Sequence, residues 1–155
     1  MTPEPLLETW DIHARINHYL LDALDDEALA SVASSRGRSV GETFAHLHNV
    51  RLMWLASAAP ERMATLQKVE KADALAKSAL GDSLRSSDAA IRALLGDSLA
   101  GDGRVKGFKP HATAFLGYLI SHESHHRGQI ALALKQSGHP LGRKTAYGIW
   151  EWGVR

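Results

Sequence analysis

Two histidines near the end of the chain, His122 and His126, have the spacing of a metal-binding pair. On a helix, residues four apart lie about 40° apart round the axis and about 6 Å apart along it, so both imidazoles leave the same face. The same side carries a series of apolar residues, Phe115, Leu119, Ile130 and Ala133. Buried neutral imidazoles need partners, and a divalent cation would satisfy both at once. The alternative is a hydrogen-bonded pair of core histidines.

A third ligand could come from the predicted second helix, which carries His46 and His48. A helix turns about 100° per residue, so these two side chains point about 160° apart and cannot both bind one ion. Apolar residues flank each of them. The pattern therefore predicts one further ligand and leaves both residues as candidates.

The spacing of apolar residues predicts four main helices. The predicted N-caps are Thr2, Ser39 and Asp73, and Ser39 has capping-box spacing to Glu42. Gly138 is placed to end the last helix. The four helices are expected over residues 3 to about 29, 40 to about 58, 74 to about 99, and about 112 to 136.

The segments between the helices read as turns and loops. Residues 34–38 form a predicted turn, Pro60 begins a short segment, and the glycine-rich stretch 100–110 is a loop that could act as a lid. The tail, residues 139–155, is short and rich in aromatic side chains that would pack on the bundle or across a dimer seam. No alternation typical of strands persists. We therefore predict an all-α protein, a four-helix bundle in a single domain spanning residues 1–155.

Composition limits the partners of the chain. It has 155 residues, 45% of them hydrophobic, and a formal net charge of +1 from 18 basic and 17 acidic side chains. Such a balance does not predict nucleic-acid binding. No leader pattern and no apolar run of about 18 residues is present, so we expect a cytoplasmic protein that does not bind membranes. Cysteine is absent, so a metal must rest on histidine and carboxylate ligands.

Three imidazoles without a thiolate suit zinc or nickel best, with iron, copper or manganese as alternatives. Such a site leaves a coordination position open for water or substrate, which is typical of catalytic metals. An enzyme acting on a small molecule is therefore the first hypothesis. The alternative is a non-enzymatic bundle that the metal stabilises, with the second helix, apolar on both flanks, serving dimerisation.

The run His122-Glu-Ser-His-His126-Arg-Gly-Gln-Ile, with His46 and Trp54 eight apart and a tail Tyr-Gly-Ile-Trp-Glu-Trp, resembles the DinB-like proteins over nearly the whole chain. The resemblance implies a four-helix bundle, commonly homodimeric, that binds a divalent ion through a histidine triad. By position the implied ligands are His46, His122 and His126, and His48 has no counterpart. The family includes thiol-dependent transferases and an isomerase that uses a low-molecular-weight thiol. Its name refers to damage-inducible expression and does not imply DNA binding.

The same letters also match HExxH, the metalloprotease motif in which Glu123 would be the general base. The match covers five residues, and no predicted sheet could bind a peptide. Glu123 remains the candidate catalytic residue, next to the metal as a proton acceptor or hydrogen-bond partner. A partly exposed residue in a salt bridge is the alternative, and the one we prefer.

Neighbouring residues give further expectations. Arg127 could meet an anionic substrate at the pocket rim, although a surface ion pair is the simpler interpretation. Gly128 is expected to allow close helix packing, and Gln129 to hydrogen-bond a ligating imidazole. His13 and Asn17, four apart on the first helix, could border a pocket, but a solvated polar flank is the preferred interpretation.

Overall fold

The computed structural model describes residues 2–155 as a bundle of helices. Four helices are long and two are short, and two 3-10 turns follow the second long helix. Their bounds are α1 Glu4–Asp22, α2 Asp26–Leu29, α3 Val40–Ala58, α4 Lys77–Ala100, α5 Ala112–Gln136 and α6 Arg143–Gly148, with the 3-10 turns at Pro60–Met63 and Lys71–Asp73. Within residues 2–155 the only extended pairing is an isolated bridge between Val32 and Ser39.

The long helices form a four-membered ring in the order α1, α4, α3, α5. Each of α1 and α3 packs against both α4 and α5, which places α1 and α3 on opposite corners. The seam between α3 and α5 is therefore where side chains of the second and the last long helix meet. No helix within residues 2–155 is both long enough and apolar enough to span a bilayer.

Two helix starts differ from the sequence-based expectation. α1 begins at Glu4 after Pro3 and has no side-chain cap, so Thr2 is not its N-cap. The first helix also ends at Asp22, because Asp25 accepts a hydrogen bond from the Ala28 N–H and starts a separate short helix. Asp73 lies in a 3-10 turn, and α4 starts four residues later at Lys77.

Other local predictions are confirmed. The Ser39 hydroxyl accepts from the Glu42 N–H at 3.1 Å, and the Glu42 carboxylate accepts from the Ser39 N–H at 2.7 Å, which completes the capping box. α5 runs from residue 112 to 136, as predicted. Gly138 follows it with a φ of +82°, a left-handed conformation that ends helices and favours glycine.

The segment 59–76 covers the outer flank of α3. Asn49 exchanges two hydrogen bonds with the backbone of Val69, at 3.0 and 2.9 Å. Gly41 lies so close to Ala74 that a Cβ at this glycine would stand 1.8 Å from the Ala74 carbonyl oxygen. The chain itself thus covers the second apolar flank of α3, which we had expected to meet a partner. The homodimer stays a prediction, and the apolar flank of α3 no longer supports it.

The tail packs on the bundle only in part. α6 lies against α1 at Gly148, where a Cβ would clash with the Tyr19 ring, and Ile149 packs on the core. Trp150 is 76% exposed, so it does not pack on the bundle as expected.

A layer of polar side chains divides the apolar core in two. One cluster contains Leu20, Phe44 and Ile130, and the other contains Trp10, Leu55 and Phe115. Between them, at the middle of the long helices, lie buried charged and polar groups from α1, α3, α4 and α5. The candidate site lies beside this layer, on the seam between α3 and α5.

Candidate metal centre

Three imidazoles meet on the seam between α3 and α5. His46 comes from α3, and His122 and His126 come from successive turns of α5. One ring nitrogen of each lies within 4.8 Å of the others, and the Nε2 atoms of His122 and His126 are 3.1 Å apart. Bonds of about 2.0–2.1 Å to one tetrahedral ion would set ligand atoms about 3.3–3.4 Å apart. The donor set therefore fits a divalent cation with a small adjustment of His46.

Gln129 orients one of the candidate ligands. Its Oε1 accepts a hydrogen bond from Nδ1 of His126 at 2.7 Å. With the proton on Nδ1, the lone pair of His126 is on Nε2, the atom that faces His122. A carbonyl that fixes the tautomer of an imidazole in this way is the usual outer partner of a metal-binding histidine, and it confirms the contact expected of Gln129.

His122 is oriented by packing. Its ring stacks on Tyr118, one turn earlier in α5, with 6.2 Å between centroids and 15° between planes. Among residues 2–155 its buried Nδ1 has no hydrogen-bond partner. The Tyr118 ring also meets Phe108 of the loop 101–111. That loop, for which the sequence suggested a lid, meets the site through this aromatic contact.

The electrostatic surroundings keep the three imidazoles neutral. Burial, together with the nearby Arg38 guanidinium, lowers the pKa of His46 to about 4. Burial also lowers the pKa of His122 and of His126, and Arg38 adds to both effects. Neutral imidazole is the form that binds a metal. Near neutral pH all three nitrogens are therefore free to act as ligands.

His46, and not His48, lies beside His122 and His126 in the structure. His48 is 1% exposed and points away from α5, with Nε2 2.7 Å from the carbonyl oxygen of Gln67 and Nδ1 3.1 Å from the hydroxyl of Ser87. It connects α3 to α4 and to the segment 59–76. His125, next to His126, is exposed and lies outside the triad.

Glu123 lies at the centre of the polar layer. It is fully buried, and its two oxygens accept from Arg51 at 2.6 and 2.9 Å, from His13 at 2.7 Å and from Asn17 at 2.7 Å. Burial alone would raise the pKa of this carboxyl, but the charge of Arg51 and the hydrogen bond from His13 hold it well below its usual range. The expected salt bridge is present, whereas the expected partial exposure was wrong. The catalytic role of Glu123 stays a prediction.

Arg51 extends the layer to α4. Its Nη1 donates to Asp88 at 2.6 Å and to the Ser87 hydroxyl at 3.0 Å, and its guanidinium lies 5.0 Å from the centre of the Trp10 ring. Sequence reasoning missed this residue. Arg51 stands midway between Leu47 and Leu55, four residues from each, so a charge falls within an apolar stripe. That position is the signal that a buried partner was required.

Several polar residues expected at the surface are buried instead. His13 and Asn17 are 0% exposed, so neither borders a pocket nor forms a solvated flank. Arg127 donates to Asn17 at 2.7 Å and to the Ser124 hydroxyl at 2.9 Å, so it belongs neither to a pocket rim nor to a surface ion pair. Gly128 is exposed, and no other group lies within 4 Å of a Cβ placed on it, so the close packing expected there is absent.

The fold and the triad define a four-helix bundle with a candidate metal centre on the seam of two helices. The family model described as the DinB family matches residues 2–150, and the chain belongs to that family. The resemblance noted in the sequence is thus confirmed over nearly the whole chain. No curated protein and no solved structure matches the chain significantly.

Proposed function

We propose that this DinB-family chain is a metal-dependent enzyme in which His46, His122 and His126 hold one divalent ion, zinc or nickel first. The observation that supports it is the convergence of three neutral imidazole nitrogens from two helices. Among residues 2–155 no carboxylate joins this group, so a bound ion would keep a position open. When bound, the ion would lower the pKa of water or of a thiol near it and supply a nucleophile close to neutral pH.

The protein groups have separate tasks in this proposal. The triad supplies the ligand atoms, and Gln129 and Tyr118 fix the orientation of His126 and His122. The proposed reaction is transfer or hydrolysis of a small molecule, with a low-molecular-weight thiol or water as the nucleophile. The cytoplasmic setting and the homodimer are part of the same proposal.

Glu123 is better suited to holding the fold than to moving a proton. Its oxygens already accept four hydrogen bonds from α1 and α3, and its lowered pKa makes it a weak base. A general base needs a pKa near the working pH. These contacts argue against the HExxH protease hypothesis.

The alternative is a non-enzymatic bundle that the metal stabilises and that assembles through its tail. The observation that favours it is a set of exposed apolar side chains near the carboxyl end, namely Tyr147 at 62%, Trp150 at 76% and Val154 at 69%. X-ray absorption on the metal-loaded protein separates the two functions. A closed sphere of four protein ligands would support the structural role, and three imidazoles with an exchangeable light atom would support the enzyme.

Metal analysis of protein purified without an affinity tag tests the triad. His126→Ala removes a proposed ligand, and His125→Ala is the matched control, since it makes the same change one residue away on an exposed face. We expect about one ion per chain in the natural protein and in His125→Ala, and at least a hundredfold weaker binding in His126→Ala. Equal metal content in all three proteins would refute ligation by the triad.

A further inference from the structure

A cavity of about 340 Å³ adjoins the candidate metal centre on its outer side. His46 contributes to its wall, so the cavity and the triad share a side chain. The rest of the lining comes from Arg38, which precedes α3, from the first half of α3 and from the segment 59–76. A molecule held in this cavity would therefore contact the side of the centre that His46 provides.

The walls of the cavity are fixed by the fold. The segment 59–76 is held against α3 at one point by the two hydrogen bonds between Asn49 and Val69. It is held at a second point by the close approach of Ala74 to Gly41. The cavity lies between these two points, next to His46. It is thus a preformed feature that requires no movement of the chain.

One positive charge in the wall has no partner. The wall contains three cations, Arg38, Lys68 and Lys71, and two anions, Glu42 and Glu70. Both lysines are paired with these carboxylates, since Lys71 lies 3.3 Å from Glu42 and Lys68 lies 3.8 Å from Glu70. Arg38 makes no ion pair with a carboxylate of residues 2–155. The three cations and two anions leave the wall with a net charge of +1, which Arg38 supplies.

The position of Arg38 is set by its neighbours in the chain. It directly precedes Ser39, the N-cap of α3, and follows a turn in which Arg36 and Gly37 have φ of 68° and 101°. The Val40 N–H donates to the Ser31 carbonyl oxygen at 2.9 Å and fixes the end of that turn. Arg38 lines the same cavity as His46, which places it on the side of the centre that His46 provides.

We propose that this cavity is the substrate subsite of the metal centre and that Arg38 binds an oxyanion, a carboxylate, on the substrate. This inference rests on the proposed function and adds the substrate class, a small anionic molecule whose reacting group lies within reach of the triad. A guanidinium presents a planar set of donors that matches a carboxylate. Arg38 is in this proposal a specificity-determining residue.

Two thiols of nearly equal size test the subsite. The probes are 3-mercaptopropionate, which carries a carboxylate, and 3-mercapto-1-propanol, which is neutral. Each is titrated into the cobalt-loaded protein, and the thiol-to-cobalt charge-transfer absorption gives the dissociation constant. We expect the charged thiol to bind about tenfold more tightly at low salt, and this preference to shrink as salt screens the pair.

Variants assign the preference to one side chain. Arg38→Gln is expected to abolish the tenfold preference, and Arg38→Lys, which keeps the charge, to retain most of it. Arg36→Gln is the matched control, because it removes the same charge from the same exposed turn but does not line the cavity. It should keep the full preference.

The possible failures are distinguishable. Equal affinity of the natural protein for the two thiols would overturn the subsite and leave the metal centre standing. A preference that survives in Arg38→Gln would overturn the role of Arg38. If cobalt does not bind stoichiometrically, the proposed function is wrong, and the subsite defined by it is wrong as well.

Discussion

Replacing Glu123 by glutamine tests whether the polar layer stabilises the fold. The amide has nearly the shape of the carboxylate but accepts hydrogen bonds at one oxygen only. The better of its two orientations keeps the oxygen where Arg51 Nη2, His13 and Asn17 donate. The amide NH₂ then takes the place of the other carboxylate oxygen, which lies 2.6 Å from Arg51 Nε in the natural protein. Two donors would face each other at that point.

The size of the effect follows from the burial of the pair. Arg51 and Glu123 are both 0% exposed, and removing one partner of a buried ion pair costs about 3–5 kcal/mol. Asp88 still accepts from Arg51 at 2.6 Å and leaves one counter-charge in place. We therefore expect the lower end of that range, about 3 kcal/mol. A domain of this size is stable by about 5–15 kcal/mol, so the variant should fold but unfold more readily.

Urea denaturation of the metal-free proteins, followed by far-UV circular dichroism, measures the change in the free energy of unfolding. Arg85→Gln is the control, because it removes an exposed ion pair, in which Arg85 lies 2.7 Å from Asp82, and should cost less than about 1 kcal/mol. Metal content should distinguish the role of Glu123 from that of the triad histidines. We expect folded Glu123→Gln to keep about one ion per chain, whereas His126→Ala loses it.

Two results would contradict this reasoning. A loss below about 1 kcal/mol in Glu123→Gln would show that the buried pair contributes no more than a surface pair. A variant of natural stability and natural metal content that lacks a transfer or hydrolysis activity found in the natural protein would instead support Glu123 as the catalytic base.

Two further predictions concern acid stability and the wall of the cavity. Burial lowers the pKa of five histidines, so the unfolded chain protonates first as the pH falls through about 6.5, and their contribution to stability is present above that pH and lost below it. These histidines are His13, His46, His48, His122 and His126. The free energy of unfolding of the metal-free protein should therefore fall between pH 7 and 5, by at most about 1.4 kcal/mol per pH unit for each histidine. A free energy of unfolding that does not change with pH, measured by urea denaturation, would contradict this. Gly41→Ala should lower the free energy of unfolding of the protein by about 3 kcal/mol or more, the upper end of what overpacking costs, because its Cβ would stand 1.8 Å from the Ala74 carbonyl oxygen. Gly128→Ala, on an open helix face, should instead stabilise it by about 0.5–1 kcal/mol, and equal thermal shifts in the two variants would refute the close contact.

Much of the fold was predictable because the signals were local. The capping box at Ser39 and the stop at Gly138 fix the ends of α3 and α5 through bonds within a few residues. Predictions failed where a competing local signal was overlooked. The apolar pattern of the first helix continues past Asp22, but Asp25 caps a new helix.

The candidate site was predictable in part. The spacing of His122 and His126 placed both nitrogens on one face of a helix, and the structure brings them within 3.1 Å. The choice between His46 and His48 needed the family resemblance, since apolar residues flank both. Only the rotation of α3 about its axis decides it, and that rotation depends on long-range packing.

The sequence could have predicted that charged residues are buried in the bundle, but not which of them pair with one another. On α5, Leu119, Glu123 and Ile130 fall in one stripe, so the carboxylate is central and His122, one residue away, lies at the edge that faces α3. On α3, Arg51 is central in the same way between Leu47 and Leu55. Two opposite charges, each inside an apolar stripe, must find partners, because a buried lone charge is too costly. Which stripes face one another depends on how all four helices pack. The spacing that gave the candidate metal ligands could therefore not by itself give the partners of Glu123.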